Sequence, residues 1–160
     1  MDHAPDHPAP QPTSAASGAA PAAGTEAAVR RYLAAFATGD PDTVAACVAT
    51  GFVNEHTAAL GSGCVGRAAY RERLPGFLAG MANLVYEVED IVADGSRAVA
   101  TYTMRADWEG RVPIEVRGAQ RLVVDDDGLI AHRTDYWDSA VFLVQADPAA
   151  AEALAAFGIG

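Results

Sequence analysis

The feature that most constrains this chain is a run of four extended segments joined by connections too short for a crossover. Leu84 to Ala93 leads into Asp94-Gly95, Arg97 to Trp108 into Glu109-Gly110, and Val112 to Val124 into Asp125 to Gly128; Leu129 to Asp138 closes the run. Segments rich in Val, Ile, Thr and Tyr between such polar, Gly-containing turns read as strands. Parallel neighbours would need about a dozen linking residues, so the spacing predicts an antiparallel meander.

Helical spacing precedes the meander. Thr25 is the expected N-cap of a helix whose face carries Val29, Tyr32, Leu33 and Phe36, and Gly39 ends it. Asp40 with Pro41 opens a second helix with Val44, Cys47 and Val48 as its stripe. Gly51 to His56 reads as a strand and Thr57 to Gly66 as a loop. Arg67 to Gly80 reads as a third helix carrying Tyr70, Leu74, Phe77 and Leu78, with a kink at Pro75. These elements predict an α+β domain over residues 25–146, three N-terminal helices packed on a curved antiparallel sheet. Residues 1–24, rich in Ala and Pro, predict a disordered tail in which His3 and His7 are incidental. After a helical turn over Ser139 to Gln145, residues 147–160 form an Ala-rich tail or short helix with Leu154 and Phe157 as its apolar contacts.

Composition narrows the functional classes. A chain that is 51% hydrophobic and 20% charged suits one globular core. Its net charge of −10 would repel a phosphate backbone, so nucleic acid is not an expected partner. With no apolar run near the roughly 18 residues of a membrane span and no signal-like segment, a cytoplasmic location away from the membrane is expected. Cys47 and Cys64 have neither CxxC spacing nor a nearby His pair; free thiols are expected, with no metal and no cofactor.

Strand alternation sets Val99, Thr101, Thr103, Arg105 and Asp107 on one face and Ala100, Tyr102, Met104, Ala106 and Trp108 on the other. Both faces carry large side chains. If helices cover one, a homodimer through the sheet would cover the other. The last segment divides into Arg133, Asp135 and Trp137 against His132, Thr134 and Tyr136, and the first places Phe52, Asn54 and His56 together. Arg105, Asp107 and Asp135 on one concave face would form a costly buried cluster, which is the mark of a candidate site. The same residues admit structural readings. Asp135 would then accept bonds from Arg133 or the backbone, Arg105 with Asp107 would form a solvated outer pair, and His56 would be a satisfied interior histidine.

The opening helices, the Gly66-Arg67 entry to the third helix, and the closing Gly128-Leu129-Ile130 and Asp135-Tyr136-Trp137-Asp138 segments resemble the nuclear transport factor 2-like superfamily. That superfamily includes SnoaL-like polyketide cyclases, ketosteroid isomerases and limonene-1,2-epoxide hydrolases. The resemblance implies a cone-shaped, cystatin-like α+β barrel. Arg105-Ala106-Asp107 and Asp135 match the charged positions of the epoxide hydrolases, where the closing-strand Asp activates water, the other Asp protonates the epoxide oxygen and the Arg links them. Asn54 and His56 stand where those hydrolases place a Tyr and an Asn, and His56 brings a group able to titrate near neutral pH. In the cyclases the closing-strand Asp removes a proton next to a carbonyl. The expectation is a SnoaL-like enzyme using acid–base chemistry on a small hydrophobic oxygenated molecule. Its catalytic residues would be Asp135, Asp107, Arg105, His56 and Asn54, and its substrate wall Tyr32, Phe36, Tyr70, Phe77 and Trp137 with Met81. The alternative is a noncatalytic ligand-binding or dimerisation domain of the same fold.

Overall fold

The computed structural model describes residues 19–159, with side chains from Ala22 onward. The meander forms as β3 (Met81–Asp94), β4 (Arg97–Trp108), β5 (Val112–Val124) and β6 (Ile130–Trp137), each antiparallel to the next. β4 and β5 have the bounds their turn signals predict. Asp94 pairs with Arg97 across a tight loop. Gly95 there has φ 57, a positive value that hairpin twist demands and that strains any residue with a side chain.

Among the described residues the sheet has six strands in the order β2-β1-β6-β5-β4-β3, with β1 at Val48–His56 and a short β2 at Cys64–Val65 inside the expected loop. β1 runs parallel to β6. The meander thus gains a parallel neighbour at its closing strand, a pairing between segments too distant in sequence for local patterns to predict.

Three helices, α1 (Ala19–Ala35, followed by a 3-10 turn at Phe36–Thr38), α2 (Pro41–Ala46) and α3 (Arg67–Gly80), cover one face. α2 starts where its signals predict, with the Asp40 carboxylate accepting from the N–H groups of Asp42 and Thr43, but it ends at Ala46, so Cys47 is its C-cap and Val48, expected on its stripe, opens β1. α1 corrects the expected start. It begins at Ala19, where alanine favours helix and Pro21 is tolerated in the first turn. Thr25 is therefore not a cap; its buried hydroxyl donates to the Gly95 carbonyl at 2.7 Å. The tail expected over residues 1–24 is helical from Ala19, and its earlier part lies outside the described residues.

The α1 stripe of Val29, Tyr32, Leu33 and Phe36 is buried against the sheet with Phe52, Leu74, Leu122 and Ile130. Full burial of each large apolar side chain stabilises by about 1.5–3 kcal/mol, so this layer holds the fold. On β4 the inward face is Ala98, Ala100, Tyr102, Met104 and Ala106. Arg105 lies outside, in ion pairs with Glu87 and Glu115, and Glu89 with Thr103 and Arg117 extends that outer network.

α4 (Ser139–Ala146), capped by Asp138, packs on β5. Its Gln145 side chain bonds both the N–H and the carbonyl of Glu115, completing the edge of β5 beyond the last β6 pair at Gly118. α5 (Pro148–Ala155) follows. Leu154 is half-buried, but Phe157 is 82% exposed and does not make the contact expected of it. Among the described residues no helix is long and apolar enough to cross a membrane, and both cysteines are free.

One glycine positions the interior. Gly118 lies opposite Tyr102 on β4, and a Cβ there would stand 2.4 Å from the Tyr102 hydroxyl and 2.8 Å from the Tyr136 carbonyl oxygen. Gly118→Ala must displace the Tyr102 ring and is expected to lower stability by about 1–3 kcal/mol in urea unfolding; unchanged stability would show that the ring has room to move.

Candidate active site

A cavity of about 550 Å³ lies between the helices and the inner face of the sheet. Its wall is mainly apolar, with Phe36, Leu74, Phe77, Met104 and Trp108 among the lining residues. Phe142 of α4 packs edge-on against Trp108 and Trp137 and closes one end. Such a space suits a small hydrophobic molecule, with orientation set by the few polar groups on its floor.

The floor is built by strand register. Parallel pairing of β1 with β6 sets Asn54 beside Arg133 and His56 beside Asp135, while β5 sets Gln120 on the other side of Asp135. Asp135 is 3% exposed. Tyr102 reaches across Gly118 and donates to Asp135 Oδ1 at 2.6 Å, and Gln120 Nε2 donates to Oδ2 at 3.2 Å. Burial, then the Asp135 charge, raises the Tyr102 pKa, so this phenol is a neutral donor.

Arg133 is 4% exposed and gives each nitrogen a partner. Nε donates to Asn54 Oδ1 at 2.9 Å, Nη1 to the Tyr32 hydroxyl at 2.8 Å, and Nη2 faces His56 Nε2 at 3.0 Å. A guanidinium only donates. His56 Nε2 must therefore accept, and the hydrogen of the neutral ring sits on Nδ1, 3.9 Å from Asp135 Oδ2. The Trp137 indole N–H is directed at the same ring nitrogen at 3.4 Å, a longer donor contact than the 3.0 Å one that Arg133 makes to Nε2. Burial first, and the Arg133 charge second, pull the His56 pKa down to about 4 against the opposing pull of Asp135. The expectation of a histidine titrating near neutral pH is thereby corrected.

The Tyr32 and Tyr70 hydroxyls are 2.8 Å apart. With Arg133 donating to its oxygen, Tyr32 has its own hydrogen to give to Tyr70. The Tyr70 O–H then remains for the cavity, which Tyr70 lines and Tyr32 does not. Burial raises both pKa values, so both stay protonated at neutral pH.

Of the residues expected here, Asp135, His56, Asn54, Phe36, Tyr70, Phe77, Trp137 and Met81 line the cavity. Tyr32 stands behind it and orients Arg133. Arg105 and Asp107 are corrected: both face outward, Asp107 accepting from Asn83 Nδ2 at 2.7 Å. A strand's two-residue period puts them opposite Tyr102 and Met104, and two charges cost less beside solvent and counterions. Sequence reasoning missed Tyr102, Gln120 and the central place of Arg133. The signal for Tyr102 was its position on the face of β4 that carries no charge. Among the described residues no three His, Cys, Asp or Glu side chains converge to hold a metal.

A family model described as SnoaL-like domain matches residues 29–133. No curated protein matches the sequence. Among solved structures the chain is similar to an LEH-like epoxide hydrolase from Mycobacterium tuberculosis, with 23% identity and TM-score 0.68 over 84% of this chain and 97% of that one. A hypothetical protein with a ketosteroid isomerase-like fold from Catenulispora acidiphila, in complex with trimethylamine, gives 18% and 0.68 over 74% and 91%. The epoxide hydrolase/cyclase-like enzyme SalBIII, described in pyran ring formation in the polyether salinomycin, gives 18% and 0.61 over 71% and 89%. At these identities the likeness is one of fold.

The depressed His56 pKa carries a sign. An unfolded His56 takes a proton near its ordinary pKa of 6.5, whereas the folded one waits until about 4. The stabilisation is therefore full above pH 6.5 and lost as pH falls toward 4. Relative to His56→Gln, the wild-type chain is expected to lose up to about 3 kcal/mol between pH 7 and pH 4. Denaturant unfolding of both proteins at each pH reads the difference, and a constant gap would contradict the assignment.

Proposed function

We propose, on the premise that the chain belongs to the SnoaL-like domain family, that it is an enzyme in which Asp135 removes a proton from the carbon next to a carbonyl of a hydrophobic substrate. One observation carries this reading: among the described residues, Asp135 is the only carboxylate on the cavity wall. Its Oδ1 is taken by Tyr102, whereas Oδ2 has the longer contacts. Oδ2 is thus the oxygen that accepts the proton. The C–H bond breaks, and its electron pair forms an enolate whose oxygen takes a hydrogen bond from the Tyr70 O–H. In a substrate with a neighbouring C=C bond the dienolate takes that proton back from Asp135 at its far carbon, which shifts the double bond. Alternatively, the enolate carbon attacks a second carbonyl, whose C=O electron pair goes to its oxygen and takes the proton from Asp135, which closes a ring.

Epoxide opening is the second reading, favoured by the likeness to the mycobacterial LEH-like hydrolase. It requires an acid at the leaving oxygen as well as a base for water. Asp107, expected in that role, lies on the outer face, so a phenol would have to serve. The carbonyl reading needs only the one carboxylate. A binding module without turnover is the reading left if neither reaction occurs.

Exchange of the α-hydrogens of 2-tetralone in heavy water, followed by proton NMR, tests the proposal without knowledge of the natural substrate. Wild-type protein is expected to accelerate exchange by about 10²-fold or more over Asp135→Asn. Asp107→Asn should exchange at the wild-type rate. Equal rates for wild type and Asp135→Asn would remove Asp135 as the base.

A further inference from the structure

The cavity wall holds two guanidinium groups, Arg133 and Arg73, against one carboxylate, with His56 neutral at physiological pH. This small region is net positive in a chain of net charge −10. On the floor, each nitrogen of Arg133 is committed to Asn54, Tyr32 or His56. Arg73 of α3 is different. It is exposed at the cavity wall, and of the two arginines that line the cavity it alone has a free donor edge, with no carboxylate partner among the described residues.

Arg73 is nevertheless held in place. Nη1 donates to the Ser62 carbonyl at 3.2 Å and the Gly63 carbonyl at 2.5 Å, and Nη2 donates to the Ser62 hydroxyl. These bonds fix the guanidinium against the loop that forms the lip beside Leu60 and Gly61, which also line the cavity. Among the described residues Nε–H has no partner. The charge also acts inward, as one of the influences holding the His56 pKa down. A fixed guanidinium with an open edge suits a carboxylate, whose two oxygens match its planar donors. The Ser62 O–H, accepting from Arg73 through its oxygen, keeps its hydrogen for the same ligand.

We infer that the substrate is a hydrophobic oxo acid, with the carbon next to its carbonyl at Asp135 and its carboxylate on Arg73. The inference rests on the reading of the cavity as the substrate site and adds the chemical class of what enters it. The apolar wall takes the carbon skeleton, and the Arg73 charge selects the acid over neutral molecules of the same shape.

Calorimetric titration with 2-naphthaleneacetate and 2-naphthaleneacetamide, at low salt and pH 7, tests it. Wild-type protein is expected to prefer the acid by about tenfold or more, and Arg73→Gln to reduce that preference to about twofold or less. Ser62→Ala loosens the latch but keeps the charge, and should retain a preference of about fivefold or more. Loss of the preference in Ser62→Ala as complete as in Arg73→Gln would reduce Arg73 to a loop latch. A preference that survives in Arg73→Gln would put the anion elsewhere, and equal binding or no binding by wild type would overturn the inference outright. The readout needs no turnover, so its failure is separable from failure of the Asp135-dependent exchange.

Discussion

A guanidinium sealed in the interior dictates how the rest of this site is built. Removing such a charge from water costs several kcal/mol even after relaxation, and bonds from its nitrogens to buried acceptors offset that cost. Arg133 meets Asn54, Tyr32 and His56, drawn from β1 and α1. Those three bonds tie the closing strand to the first helix and the first strand. They also bias two proton positions: the 3.0 Å contact with Arg133 draws the His56 hydrogen to Nδ1, and the bond to the Tyr32 oxygen favours donation from Tyr32 to Tyr70. No carboxylate lies within ion-pair distance of Arg133 among the described residues, so Asp135 compensates the charge from further along the same strand face. The donors around the cavity are consequences of where one cation is buried.

Local signals made much of the fold legible. Asp94-Gly95 and Glu109-Gly110 bracket β4 because tight hairpins need those residues, and Asp40-Pro41 marks α2 because capping is a matter of two or three neighbours. The stripe of Val29, Tyr32, Leu33 and Phe36 shows its face for the same reason. Non-local facts stayed hidden. Nothing near Val48–His56 says that it pairs with β6, yet that pairing sets Asn54 beside Arg133 and His56 beside Asp135. Alternation along β4 yields two faces without saying which is inward. Taking Arg105 and Asp107 as the inward pair inverts the strand, since with a period of two the choice is all or nothing. The cue lay in the neighbours: Glu87 and Glu115 stand ready to pair with Arg105 outside, and Ala100, Tyr102, Met104, Ala106 and Trp108 carry no charge at all. The same inversion hid the contact between Tyr102 and Asp135, which depends on the missing side chain of Gly118.

The two oxygens of Asp135 are held unequally, and the imbalance is what makes the residue useful. Oδ1 takes a short bond from Tyr102, and Oδ2 only the longer bond from Gln120. Gln120 is fully buried, and its own Oε1 has no partner among the described residues. An orphaned acceptor of this kind costs about 1–3 kcal/mol, and turning the amide round would set its oxygen against the carboxylate. The amide is therefore oriented by Asp135, at the expense of its own second group. A base gripped equally at both oxygens would be as ordered but less reactive. A base with no grip would be free to turn toward Arg133 and neutralise it. Gln120 and Tyr102 prevent that collapse and leave one oxygen lightly held beside His56. Arg133, satisfied by neutral acceptors alone, does not compete for it.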